Sequence, residues 1–295
     1  MNWKNVLLMG AVTLLPASMM AQANILNAKK PQEIGVRTEE QKAVDNDAPL
    51  EYGYVDDRDI LWSKTLWETI DLDERVNFPL YYPTDTMDIG RNRRSLYHVL
   101  IKSLKEGKLE AYADSYFTEK RTYNDLAGAL QSVDTLDYGY EQMNAGEEVS
   151  AEYITRRNIT AGEIEEYHIK GMWYFDKRQG ELKYRLLGIA PVAPDVNFID
   201  DDNPDMVELF WVWYPDAREI LHEAKVFNQQ NSAQPISFDM LLNARRFNAV
   251  IYKEDNVHGD RKVSDYIADN ALFQLLEAKR IKETIRDREQ DMWAY

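Results

Sequence analysis

The sequence predicts an α+β protein, with amphipathic helices around a central, mostly antiparallel β region and a long helix at the C-terminus. Three observations carry this. Glu163–Phe175 and Glu181–Val192 are rich in β-formers and partly alternate, and Asp176-Lys177-Arg178-Gln179-Gly180 between them has turn composition, so the pair reads as a β-hairpin. Leu96, Leu100 and Leu104 step by four, with Tyr97 and Ile101 beside them, as on a helix face. From about Asp269 to the end, Ala271, Leu275, Ala278, Ile281, Ile285 and Met292 form an apolar stripe, with charge on the other face.

The chain opens like an export signal. Lys4 is the only charge in Met1–Ala21, Val6–Leu15 is apolar, Pro16 breaks the run, and small residues follow. Cleavage fits after Ala21 or, through the A-x-A pattern Ala21-Gln22-Ala23, after Ala23. The apolar run is about half of the roughly 20 residues that a membrane-spanning helix needs. Residues 22–54 hold polar and charged residues with scattered apolar ones, and read as a flexible linker. The folded region is expected over 55–295, either whole or divided into subdomains 55–195 and 196–295.

Within it, Asp56–Pro83 concentrates aromatic and acidic residues. Trp62, Leu66 and Ile70 recur at i, i+4 and i+8, one stripe of a helix capped by Asp57 or Asp59. Val76, Phe78 and Leu80 then alternate, and Phe78 and Tyr82 precede prolines, which predicts an extended segment. Thr84–Gly90 is a turn region, and the helix over Arg93–Lys105 stops at Gly107. Tyr112–Phe117 reads as a short strand, Asp125–Val133 as a helix, Leu136–Gly146 as turns and Ala151–Arg157 as a further strand. Asp200-Asp201-Asp202-Asn203-Pro204 is an acidic loop, Val207–Tyr214 a buried strand, Ala217–Val226 and Ser237–Phe247 helices, and Ala249–Lys253 a short strand. Tyr112, Arg121 and Asp125 recur as Tyr252, Arg261 and Asp265 at a constant offset of 140, an echo that fits duplication or coincidence.

Composition narrows the function. The chain has 35 Lys and Arg against 51 Asp and Glu, and losing Lys4 with the leader takes the formal charge from −16 to −17. So acidic a surface repels phosphate backbones, which argues against nucleic acid as a partner. There is no cysteine, hence no disulfide framework, no thiol chemistry and no cysteine to lipidate. G-x-G-x-x-G, P-loop and G-x-S-x-G patterns are missing. His222-Glu223 begins like a zinc-protease motif, but Val226 stands where the second histidine belongs. His98, His168 and His258 are far apart and read as structural.

Acidic pairs such as Asp71 with Glu74, or Asp57 with Asp59, would suit glycoside hydrolysis. In a chain this acidic such pairs arise throughout, and they read as caps and solvated charge. Asp200–Asp205 lacks the D-x-D-x-D-G spacing and the distal glutamate of a calcium loop, so no metal or cofactor is expected. Trp211, Trp213 and Tyr214 suit either a core or a sugar-stacking platform. The doublets Arg93-Arg94, Arg156-Arg157 and Arg245-Arg246 are isolated basic points for acidic groups within the molecule or on a partner.

Several blocks occur in a recognisable order: Asp57-Arg58-Asp59-Ile60-Leu61-Trp62-Ser63-Lys64 with Trp67, then Asn77-Phe78-Pro79-Leu80. Tyr174-Phe175-Asp176-Lys177-Arg178 and Leu187-Gly188-Ile189-Ala190-Pro191 follow, then Trp211–Glu219. Pro235-Ile236-Ser237-Phe238, Leu241–Lys253 and Arg286–Tyr295 complete the series. Through these blocks the chain, from about Tyr54 onward, resembles the GldN/PorN family of gliding-motility and type IX secretion proteins of the Bacteroidota.

The resemblance implies a non-enzymatic ring subunit in the periplasm, at the inner face of the outer membrane. Its implied partners are an outer-membrane lipoprotein of the GldK/PorK type, which would supply the anchor, the periplasmic part of an inner-membrane motor protein of the GldM/PorM type, and further copies of itself. It implies no catalytic residue and no cofactor. Candidates for packing or partner contact are Trp62, Trp67, Phe78, Tyr81, Tyr82, Arg93, Arg94, Arg245, Arg246, Trp293 and Tyr295. The competing expectation is a periplasmic glycan-binding module built on Trp211, Trp213 and Tyr214.

Overall fold

The structure, a computed structural model, describes residues 30, 43–44, 47–85, 87, 93–146, 150–199, 204–228, 231, 235–268 and 270–293. The leader, most of the linker, part of the Thr84–Gly90 turn region, Asp200–Asn203 of the acidic loop, the Trp293 side chain and Tyr295 lie outside the described residues. Pro49–Tyr295 folds as one compact unit.

Its elements run β1 (Ile60–Asp71), α1 (Phe78–Tyr81), α2 (Leu96–Lys105), β2 (Ala111–Tyr112), β3 (Lys120–Arg121), α3 (Ala127–Leu130), β4 (Gln131–Thr135) and α4 (Asp137–Asn144). Then come β5 (Ile154–Asn158), β6 (Glu166–Asp176), β7 (Glu181–Pro194), β8 (Met206–Glu208), β9 (Trp211–Trp213), α5 (Tyr214–Glu223), β10 (Lys225–Val226) and β11 (Ile236–Ser237). The last are α6 (Phe238–Asn243), β12 (Val250–Glu254), α7 (Val263–Tyr266) and α8 (Ala271–Trp293).

This is the α+β architecture read from the sequence. An eight-stranded antiparallel sheet has the order β12-β1-β6-β7-β9-β2-β3, with β8 beside β7. The predicted hairpin is β6–β7, in register from Glu166↔Val192 to Asp176↔Glu181. Gly180 closes its turn with φ +67, a conformation glycine adopts without a steric penalty, and donates its N–H to the Asp176 carbonyl at 2.7 Å.

Asp56–Pro83 reverses its expected order of structure. The predicted helix is strand β1, held between β6 and β12. The spacing of Trp62, Leu66 and Ile70 is a multiple of both four and two, so it places them on one face of a strand as readily as on a helix. The polar residues between them on that face, Lys64 and Glu68, hid the alternation. Each has an ionic partner, Lys64 on Glu254 at 2.7 Å and Glu68 on Arg245 at 2.8 Å. The acidic cap survives only as a single tight turn, in which Asp56 accepts from the Arg58 N–H at 3.2 Å. The predicted extended segment is helix α1, where Pro79 sits in the first turn and removes an N–H that has no helical partner anyway.

Smaller differences have local causes. Phe117 takes φ +59 and turns the chain, so the Tyr112–Phe117 strand shrinks to β2. Asp125–Val133 divides into α3 and β4, and Leu136–Gly146, read as turns, holds α4. β5 pairs with β4 in a ribbon of its own. Val207–Tyr214 splits into β8 and β9, and Tyr214-Pro215 starts α5, which ends at Glu223 before β10. α6, capped by Ser237 through the Met240 N–H at 3.1 Å, ends at Asn243.

The core has three parts. The largest joins Ile70, Tyr167, Ile169 and Ile189 of the sheet to Leu96 and Leu100 of α2, Tyr214 and Leu221 of α5, and Phe238 and Leu242 of α6. The second packs Leu66 and Ile251 against Ala278, Ile281 and Ile285 of α8. Of the stripe predicted for α8, these three are buried, whereas Ala271 and Leu275 are exposed. The third, around Trp67, Ala190 and Trp211, is joined by Tyr112, Phe117 and Tyr252.

The 140-residue echo is structural too. α2 and α6 are both serine-capped, and a residue with positive φ follows each, Gly107 at +67 and Arg245 at +48. A strand comes next, β2 or β12, then a loop with a positive-φ residue, Phe117 or Asp260. Each chain then returns beside its strand and enters an aspartate-capped turn, Asp125 accepting from the Thr122 N–H at 2.8 Å and Asp265 from the Lys262 N–H at 2.9 Å. Such agreement in order is what a duplicated unit leaves.

Candidate functional site

Strand β1 organises the charged centre of the molecule. Alternation sends Leu66, Glu68 and Ile70 to one face and Trp67 to the other. Glu68 is 2% exposed, between the large core and the one beneath α8. Arg245 answers it with a fork, Nη1 donating to Oε2 at 2.9 Å and Nη2 to Oε1 at 2.8 Å. The guanidinium lies 4.1 Å from the Tyr184 ring centroid, 5.4 Å from Phe247 and 5.7 Å from Trp173.

Tyr184 reaches this position across Gly171, where a Cβ would come within 2.0 Å of the tyrosine hydroxyl. Burial opposes the Arg245 charge, but Glu68 outweighs it and raises the pKa; burial likewise pushes Tyr184 far up. These groups hold their protons at neutral pH, so the seam is an electrostatic clamp and does not exchange protons. Beside it a cleft of 340 Å³ runs between the sheet and α8, lined by Leu66, Trp173, Leu182 and Ile251, with Lys279, Lys282 and Arg286 along the helix.

On the opposite face, Trp67 stands in register between Lys253 of β12 and Lys170 of β6. Both ammonium groups lie over its indole, at 4.2 and 4.9 Å from the ring centroid. Lys170 donates to the Ser115 carbonyl at 2.8 Å and Lys253 to the Tyr116 hydroxyl at 3.0 Å. Burial, and then Lys253, lower the Lys170 pKa. Next to this row, His168 stacks on Tyr252 at 4.6 Å and lies between two carboxylates, Nδ1 to Glu208 at 2.7 Å and Nε2 to Glu166 at 3.5 Å. Glu208 also accepts from the Trp211 indole at 2.7 Å.

Burial works against the His168 charge, yet Glu166 and Glu208 prevail and raise its pKa above 6.5. Burial likewise works against the Glu208 charge, and its bonds to His168 and Trp211 prevail to lower its pKa below 4.5. The histidine term is fully present below pH 6.5 and lost as pH rises through its raised folded value. The glutamate term is present above pH 4.5 and lost as pH falls through its lowered folded value. Both therefore act between pH 4.5 and 6.5, where this cluster stabilises most. Melting temperature recorded against pH should fall on the alkaline side of that window, and His168→Gln should flatten the fall. An equal alkaline fall in the variant would refute this assignment.

The structure separates the predicted contact residues. Trp67 is buried, while Trp62 is half-buried against the α8 cluster. Phe78, Tyr81 and Tyr82 form one group, with ring centroids 5.4 Å apart for Phe78–Tyr82 and 4.7 Å for Tyr81–Tyr82. Tyr81 donates to the Gly162 carbonyl at 3.0 Å, and Tyr82 is exposed. Arg93 lies 4.9 Å over Phe227, and Arg94 donates to the Arg93 carbonyl at 2.7 Å. Arg245 joins the seam, and Arg246 faces solvent.

The sugar-stacking expectation fails at two of its three residues. Trp211 and Tyr214 are both 0% exposed, because one completes the third core and the other enters the large one. Trp213 is half-buried, 4.8 Å from Phe117.

Sequence reasoning missed Glu68, Lys170, Lys253 and the His168–Glu208 pair. It also missed Arg218 with Asp239, joined through Nε at 2.9 Å and Nη2 at 3.2 Å. That pair fastens the start of the folded unit, since Arg218 also donates to the Leu50 carbonyl and lies 4.1 Å over Tyr52. One signal was available, a single carboxylate inside the apolar run Leu66-Trp67-Glu68-Thr69-Ile70. Among the described residues, no group of three or more His, Cys, Asp or Glu is placed to hold a metal. No described helix is long and apolar enough to cross a membrane.

Residues 55–294 match the family described as gliding motility associated protein GldN. The chain belongs to the GldN family. A comparison with curated proteins finds no match. The GldN match spans the whole sheet, both faces of β1 and all of α8, so the clamp, the lysine–tryptophan row and the cleft all lie within it. The chain is thus a component of the gliding-motility machinery. Two stretches of this GldN-family fold leave large apolar side chains in solvent, the first turns of α8 and the β4–α4 region.

Proposed function

We propose that this GldN-family chain is a structural, non-catalytic subunit of a periplasmic ring in the type IX secretion and gliding machinery. It assembles with an outer-membrane lipoprotein of the GldK/PorK type and meets the periplasmic part of an inner-membrane motor protein of the GldM/PorM type. The family match over residues 55–294 carries this reading.

The site chemistry supports it. The buried charges Glu68, Arg245, Arg218 and Asp239 are consumed in pairs, which suits a rigid coupling element. The leader-like Met1–Ala21 supports export, and with no cysteine to lipidate the chain takes its membrane anchor from the lipoprotein. Co-expression with that lipoprotein, gentle extraction and velocity sedimentation test the reading. One very large particle containing both proteins is expected, and two small, separate species would overturn it.

A further inference from the structure

This inference rests on the ring reading and names the surface that builds the ring. Subunits related by a rotation other than two-fold meet head to tail, so each must carry two different, complementary patches. The described residues offer two.

The first is on α8. Leu272, Phe273, Leu275 and Leu276 are 65, 55, 53 and 50% exposed. At about 100° per residue they fill an arc opposite Ala278, Ile281 and Ile285, which pack on the sheet. The start of α8 is therefore apolar on both sides, the pattern of a helix covered on both. The helix then turns basic on its solvent side, with Lys279, Arg280 and Lys282 exposed.

The second patch is on β4, α4 and the turn between them. Val133, Tyr138, Tyr140 and Met143 are 58, 66, 51 and 60% exposed. Gln131–Thr155, which contains this patch, has six Asp and Glu and no Lys, Arg or His. The two patches thus match in apolar character and oppose in charge.

We infer that the first turns of α8 in one copy dock on the β4–α4 region of the next copy, with Lys279 and Lys282 facing its carboxylates. The contact is heterologous, so it propagates around a ring and does not close a dimer.

The chain has no cysteine, so introduced thiols report without background. Full-length chain carrying both Phe273→Cys and Tyr140→Cys, co-expressed with the lipoprotein, should give a ladder of covalent multimers with a short bis-maleimide linker. Leu272→Glu with Leu276→Glu, and separately Tyr138→Glu with Met143→Glu, should each abolish the large particle while leaving the melting temperature unchanged. Mixing these two variants should restore dimers and nothing larger, because each retains one intact patch. A wild-type ring that gives no ladder, or that survives both charge variants, overturns the inference. If wild type and lipoprotein form no large particle at all, the ring reading falls and this inference with it.

Discussion

Replacing Arg245 with alanine lowers the unfolding free energy by about 3–5 kcal/mol, the usual cost of leaving a buried charge without its partner. Glu68 is 2% exposed, so its carboxylate cannot recover water when the guanidinium is removed. The variant also loses the ring contacts to Tyr184, Phe247 and Trp173. For a unit of this size the loss corresponds to a fall of roughly 6–20 °C in melting temperature. Urea unfolding followed by tryptophan fluorescence measures it. Glu68→Leu combined with Arg245→Met should recover most of the stability, since an apolar pair of similar volume has no charge to desolvate. A loss below about 1 kcal/mol in the single variant would mean that Glu68 is hydrated and the clamp contributes only as a surface pair does.

Trp67→Ala is expected to cost about 3–5 kcal/mol, the range for removing a large aromatic from a core. The residue is 2% exposed, in the small cluster with Ala190 and Trp211. Two further terms act at this position. Lys170 and Lys253 lose the indole face that both ammonium groups share, an interaction of about 0.5–2 kcal/mol each. They also remain close to one another, with less between them to offset the repulsion. Trp67→Phe keeps an aromatic face and removes the buried indole N–H that has no hydrogen-bond partner, so it should retain more stability than alanine. Trp62→Ala, at a half-buried position, should cost less than Trp67→Ala. Chemical denaturation of the three variants fixes the order, and equal losses at Trp62 and Trp67 would contradict it.

Much of the fold was legible because local chemistry and tertiary packing agree there. The β6–β7 hairpin is a long alternating pair around a glycine turn, and the structure keeps it with its register intact. α2 begins at its serine cap and ends before Gly107. β1 was misread because a spacing of four residues satisfies helix and strand alike, and the choice fell to a partner more than a hundred residues away. Without Arg245, Glu68 on a buried strand face would be a fault; with it, the strand is stable and Lys64 and Glu68 both have a place.

The candidate site was less legible than the fold. Arg245 and Trp67 stood out, one as half of a basic doublet and the other as a tryptophan in an aromatic run. Their partners Glu68, Lys170 and Lys253 are ordinary charged residues in a chain rich in them. Nothing in the order of residues says that Lys253, Trp67 and Lys170 share one row, because that depends on the pairing of three strands. Nor does it separate Arg245 from Arg246, which a positive-φ turn after α6 sends in different directions.

By itself the sequence determined the α+β class, the hairpin, the α2 helix, the long C-terminal helix and, through its ordered blocks, the resemblance to the GldN family. These follow from periodicity, turn chemistry and motif order, all of which act within a few tens of residues. Tertiary structure alone decided that β1 is a strand, that Glu68 and Arg245 meet, and that Trp211 and Tyr214 belong to the core. It also decided which apolar residues of α8 face solvent. The reason is physical: burial and ion pairing are properties of two surfaces, and each sequence segment describes only one.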